Sequence, residues 1–301
     1  VTGYAHLAAA ATGVQVGAAM AMSAAAVAET GASTLAFLRY GVGLAILVPA
    51  LRGAWRILPG TRDLLVICAT GAAQFGLLVV LLNMAVATAP ASQVALVFAT
   101  MPLMALALSA LAEGRAVTRC QAVAVCGAVA ATGLVLGRQA LAASPSVSAL
   151  PGLGLAALAT LVGAACALVH QPQIVRHGVA RVSGLSMAAA LPFLALATLL
   201  EGWPVLPRNW SEETVALVLG LGASSGLGIL LWLTALERLP AGVASAFLGL
   251  GPVTALVIGW AALGTPTHPV EVAAAALVLG SLILLARCTS IEPAERKSPL
   301  A

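Results

Sequence analysis

Charge in this chain is almost confined to short breaks between apolar runs about as long as a bilayer is thick. Only 8% of its 301 residues are charged, 61% are hydrophobic, and Lys297 is the single lysine. A soluble domain carries about 25% charged residues, so this composition cannot clothe a water-facing surface. Disorder is excluded too, because it needs low hydrophobicity and high net charge. The runs approach the ~20 residues of a spanning helix, not the ~10 of a barrel strand. The sequence therefore predicts an all-α integral membrane protein.

Ten runs are bounded by charges or by Pro and Gly: 5–28, 32–51, 63–82, 90–111, 119–137, 152–175, 183–200, 213–236, 240–263 and 270–287. The start, Val1 to Val27, has no basic flank and reads as the first span, not as a cleaved signal peptide. The break from Asn83 to Ala89 carries no charge. With a cytoplasmic N-terminus, eleven of the fourteen basic residues fall in cytoplasmic segments, among them Arg62, Arg115, Arg176, Arg181 and Arg238. Only Arg138 and Arg208 fall outside, and Arg39 lies within a span. That asymmetry puts both termini in the cytoplasm.

The two halves of the sequence match at one offset of 150 residues. Gly13 pairs with Gly163, Gly76 with Gly226, Pro90-Ala91 with Pro240-Ala241, Pro102 with Pro252 and Gly114 with Gly264. Five spans per half is odd, so the second half enters the membrane from the opposite side. Inverted repeats of this kind are typical of secondary transporters, with the substrate held near the midplane between the halves. The domain reading is a first repeat over 1–137, a periplasmic linker over 138–151, a second repeat over 152–287 and a cytoplasmic tail over 288–301.

Ala36-Phe37-Leu38-Arg39-Tyr40 resembles a signature of the EamA-type drug/metabolite transporter superfamily. A second resemblance runs from Ala85 through Pro90-Ala91-Ser92 and Pro102 to Glu113-Gly114-Arg115, and its copy runs from Ala235 through Pro252 to Gly264. The resemblance implies two five-helix repeats around a central cavity. It also implies export of small metabolites across the bacterial inner membrane, amino acids first, with the aromatic amino-acid exporters among the similar proteins.

Polar groups in a bilayer are costly and mark candidate sites. Arg39 lies about 11 Å below its span end at 1.5 Å per residue, where it could bind a carboxylate, latch a helix as a gate, or snorkel to the headgroups. Gln74 offers an amide near mid-span, suited to a zwitterion or to a neighbouring helix. Thr100, Met101, Ser224 and Ser225 lie at similar depth. His170 precedes Gln171-Pro172-Gln173, where Pro172 should kink the helix beside an inner vestibule; a histidine bonded to a neighbouring helix is the plainer reading. Met20, its counterpart at the repeat offset, should face an outer vestibule. Tyr40 and Phe98 offer ring faces to a substrate or to the core. Trp232 and Trp260 read as interfacial anchors. Pro102 and Pro252 should bend their spans, Gly249 and Gly251 flank the second bend, and Gly13-x-x-x-Gly17 and Gly222-x-x-x-Gly226 permit close helix contact.

Other chemistries lack residues. No P-loop lysine exists, so neither nucleotide-driven transport nor an attached ATPase subunit is expected. The five cysteines form no C-x-x-C pair, and neither a zinc site, a disulfide framework nor any cofactor is expected. No basic stripe suggests nucleic acid, and no catalytic constellation suggests an enzyme. No Asp or Glu lies deep in a span, which disfavours drug/proton antiport. One lone arginine is too little for phosphorylated cargo. The sequence predicts a monomeric carrier of small neutral or zwitterionic solutes, with a passive channel or a multidrug/proton antiporter as the competing readings.

Overall fold

The computed structural model describes residues 2–51, 58–113, 118–124, 126–127, 130–131, 134, 149–202, 210–239, 243–244, 247–264 and 268–291. Much of the fifth expected span, all but the end of the expected linker, most of the expected tail, Pro240-Ala241 and Gly114 lie outside these residues. Among the described residues all regular structure is helical. Six helices are long and apolar enough to cross a bilayer, and three shorter apolar helices accompany them. The chain is a multi-pass membrane protein.

The first half contains α1 (Thr2–Thr30), α2 (Ala32–Leu51), α3 (Thr61–Thr88), α4 (Ala91–Phe98) and α5 (Met101–Glu113). The second contains α6 (Ala149–His177), α7 (Val179–Gly202), α8 (Glu212–Arg238), α9 (Leu250–Leu263) and α10 (Pro269–Ile291). The α1–α2 joint is a single residue, Gly31, and the α6–α7 joint is Gly178, with φ of 75° and 79°. Only glycine adopts this left-handed conformation without strain. Each ends its helix by donating its N–H back to a carbonyl, Val27 for Gly31 and Ile174 for Gly178.

Helix α3 continues past the expected break to Thr88, so Asn83 sits inside a span and not in a loop. Its centre, Ala72–Leu77, is a π-helix, which the apolar pattern did not predict. The fourth expected span is two helices. It stops at Phe98, turns through Ala99 and Thr100, and restarts at Met101 with Pro102 in the first turn. The ninth behaves alike: a short 3₁₀ turn, Phe247–Gly249, precedes α9, whose third residue is Pro252. The two prolines therefore begin helices where bends were expected. A first-turn proline suits this place because its missing N–H has no intrahelical acceptor there. Helix α6, by contrast, runs through Pro172 to His177.

The halves are interlocked. Helix α1 packs on α8 and α9 of the other half, α3 on α6 and α7, and α2 on α7. Glycines set these approaches, and the approaches repeat. A β-carbon at Gly226 would strike the backbone of Gly43, and one at Gly76 would strike the ring of Phe193. Residues 43 and 193 are themselves 150 apart. A β-carbon at Gly13 would fall on the carbonyl oxygen of Phe247, whose counterpart, that of Val97, lies 3.5 Å from Thr160 Oγ1 of α6. Since α2 and α7 are equivalent and touch, the pseudo-twofold axis runs between them.

Outward faces are apolar, as lipid requires: Leu199 and Leu200 of α7, Leu219 and Leu227 of α8, and Trp260 of α9 are all exposed. Cys120 is disulfide-bonded, contrary to the expectation from spacing, because helix packing and not sequence distance decides which thiols meet.

Gly17 meets the carbonyl of Gly251, whereas Gly220 faces open space. Gly17→Val should cost about 1–3 kcal/mol through overpacking, and Gly220→Ala should leave stability unchanged or raise it. Thermal unfolding in detergent checks the pair.

Candidate functional site

A cavity of about 780 Å³, including solvent space at its open mouth, lies between the halves. Its wall is mostly apolar and comes from α1 to α5 on one side and from α8 and Leu248 on the other. Helix α1 contributes Thr12, Gln15, Val16, Ala19, Met20 and Ser23, one stripe at helical spacing. Helix α3 contributes residues from Gln74 up to Val86. On α1 and α3 the lining extends from mid-helix toward the α1–α2 joint, and on α8 it extends from Ser225 the other way, to Trp232.

Six of the predicted candidates meet in this wall: Arg39, Tyr40, Gln74, Phe98, Met101 and Ser225. Arg39 Nε donates to Ser225 Oγ at 2.5 Å, and Ser225 donates its own hydrogen to the carbonyl of Leu221. The hydroxyl is thereby oriented with a lone pair toward the guanidinium. The guanidinium carbon also lies 5.4 Å from the centroid of the Tyr40 ring, within cation–π range. Tyr40 meets Phe75 edge-on at 5.9 Å, and Phe75 lies 6.1 Å from the His170 ring.

Gln74 is buried and belongs to the π-helical turn. Its Oε1 lies 2.5 Å from His170 Nδ1, and His170 Nε2 lies 3.2 Å from Ser186 Oγ. The assignment satisfying every donor has Nδ1–H donating to Gln74 and Ser186 donating to Nε2. The opposite tautomer leaves a buried Ser186 hydrogen without an acceptor. Gln74 then presents its amide N–H₂ group to the cavity. His170 is fully buried behind Gln74, bonded to neighbouring helices, and does not line this cavity.

The other candidates stand outside the wall. Thr100 fills the break in the fourth span, its N–H and hydroxyl both donating to the carbonyl of Val97. Ser224 bonds the carbonyl of Leu221 and sits 3.5 Å from Gln15 Nε2. Pro102, Pro252, Pro172, Gly249 and Gly251 are backbone elements; Gly249, for example, makes room for Leu282 of α10.

Four polar wall residues besides Thr12 were not expected there. Trp232 is buried in the wall and is not an interfacial anchor, because the spans on either side cover its α8 face. Asn83 is buried and donates to the carbonyl of Ala32 at 2.9 Å. Gln15 and Ser23 complete the set, and Met20 lines the same cavity. Among the described residues, neither Trp232 Nε1 nor Ser23 Oγ has a hydrogen-bond partner. The signal for Asn83, Gln15 and Ser23 was simply a polar residue within an apolar run.

Equivalent clasps join the halves at opposite ends of the bundle. At one end, Glu29 at the end of α1 accepts from Ser211 N–H at 2.9 Å, at the start of α8. At the other, Asp63 at the start of α3 meets His177 at the end of α6, also at 2.9 Å, with Arg176 at 3.9 Å. Glu201 of α7 adds a second tie at the first end by accepting the N–H groups of Ala32, Ser33 and Thr34, the open N-terminus of α2.

Two interlocked inverted halves, broken spans at matching places and a mid-bundle cavity define a membrane transporter of small solutes. The chain belongs to the EamA-like transporter family, which matches it twice, over residues 3–137 and 150–287. No curated protein sequence matches it. One solved structure, described only as a crystal structure of a protein, is similar at a TM-score of 0.66 and 20% identity, covering 95% of this chain and 99% of its own. That likeness shows the fold alone.

The Gln74–His170 bond predicts a non-additive pair. Gln74→Leu should cost about 1–3 kcal/mol by stranding a buried ring N–H. Adding His170→Leu should recover part of that loss, because both polar partners are then gone. A double-mutant cycle by thermal unfolding checks it.

Proposed function

We propose that the protein is a secondary carrier that exports small neutral or zwitterionic metabolites, with amino acids, aromatic ones included, as the first class. The observation that carries this reading is the cavity: mostly apolar, edged by amides, hydroxyls and one arginine, and placed between inverted halves whose fourth and ninth spans are interrupted at equivalent points. Discontinuous helices at matching positions of two repeats accompany midplane substrate sites in transporters. The clasps at opposite ends suit alternating access, since each ties the same pair of elements at one face.

Arg62, Arg176, Arg181 and Arg238 gather at the end holding the Asp63–His177 clasp. By the positive-inside rule that end is cytoplasmic, in a bacterial inner membrane with both termini inside. No Asp or Glu lines the cavity among the described residues, and both ring nitrogens of His170 are engaged by neutral partners behind it. This favours transport without obligatory proton coupling.

In proteoliposomes, a carrier of this kind should give saturable counterflow of a labelled amino acid that persists when the pH gradient is collapsed. Strict dependence on that gradient would overturn the uncoupled reading. Single-channel currents without counterflow would replace the carrier with a pore.

A further inference from the structure

Arg39 is the cationic residue of the cavity wall, and no carboxylate accompanies it there among the described residues. Its Nε is fixed by Ser225, whose own hydrogen is spent on Leu221. No ion pair holds its two terminal nitrogens among the described residues. They form the flat end of the guanidinium fork, the edge that matches a carboxylate with two parallel hydrogen bonds. Tyr40 covers one face of the group, so the fork is held at its stem and on its flank and left open at its tip. Holding a donor by its own hydrogen bonds is how a recognition group is preorganised.

We propose that Arg39 is the carboxylate-recognition residue of this cavity, so that every good substrate carries a free carboxylate on an apolar body. This deepens the carrier reading and rests on it. Snorkelling does not account for the geometry, because the side chain is turned to Ser225 of the opposite half. A latch between α2 and α8 needs only the Nε–Ser225 bond and leaves the fork's tip without a role. The amide N–H₂ of Gln74, oriented by His170, adds a second donor to the same wall. Apolar wall residues such as Val16, Leu78, Phe98 and Met101 leave the rest of the ligand a largely apolar chamber.

The test uses the full chain in proteoliposomes, with matched acids and amides as competitors of labelled phenylalanine and labelled leucine counterflow. The pairs are phenylalanine with phenylalaninamide, leucine with leucinamide, and 3-phenylpropionate with its amide. Each acid that competes should do so about tenfold or more strongly than its amide, the scale of a charge-assisted hydrogen bond. Competition by 3-phenylpropionate equal to that by phenylalanine assigns the site to carboxylates in general, and weaker competition assigns it to amino acids; both sustain the proposal.

Arg39→Gln should bring the acid-to-amide ratio close to one, and Arg39→Lys should leave it between the two. Should Arg39→Gln not fold, Ser225→Ala keeps the charge, frees the fork and should lower the ratio several-fold. The proposal is overturned if acids and amides compete equally in the unaltered protein, or if Arg39→Gln keeps the original ratio. Absence of counterflow for every solute would instead remove the carrier reading beneath it.

Discussion

The structure depends on backbones of opposite halves touching at glycine. Gly13 and Gly17 of α1 lie on the carbonyls of Phe247 and Gly251, and Gly226 of α8 lies on Gly43 of α2. Water is not available in a bilayer interior to drive helices together, so close packing of small residues must do so. At this range the broken fourth and ninth spans are enclosed by protein. That enclosure makes their interruption tolerable, because irregular backbone survives at membrane depth only when buried in protein or lining a cavity. Thr100 illustrates the local repair, giving both its N–H and its hydroxyl to the carbonyl of Val97.

Function follows from where the symmetry fails. Equivalent places in the two repeats carry different chemistry. Arg39 has Ala189 as its counterpart, Gln74 has Ser224, Phe75 has Ser225 and His170 has Met20. The repeats therefore share a scaffold but give the cavity a cationic side, an amide and an aromatic stack. Arg39 reaches across to Ser225 and His170 reaches across to Gln74, so Arg39 and Gln74 are each steadied by the opposite half. A change in the relation of the halves must then alter the donors a solute meets.

Much of the architecture was legible because it is written in patterns of one dimension. Apolar run length gave the spans, and prolines and glycines at one offset gave the repeat. The misses share a cause. Whether Trp232 faces headgroups or a cavity depends on what covers its helix face, which no local pattern states. Asn83 read as a break because an amide interrupts hydropathy, yet its partner carbonyl at Ala32 is 51 residues away. The π-turn around Gln74 and the stop at Phe98 are tertiary accommodations within apolar sequence. Individual polar residues were visible as candidates, but the pairings Gln74–His170 and Arg39–Ser225 join different halves and are settled by packing.

The central claim is that the cavity between the halves is the path of the solute. Single cysteines placed in a background without native cysteines test it most directly, by labelling intact membrane vesicles with a small membrane-impermeant thiol reagent. Gln15→Cys in the wall should react from one side, lose transport on reaction, and be protected by a transported solute. Leu219→Cys on the lipid face should stay unreactive. A Gln15→Cys protein inert from both sides, or one that reacts without loss of transport, would contradict the account.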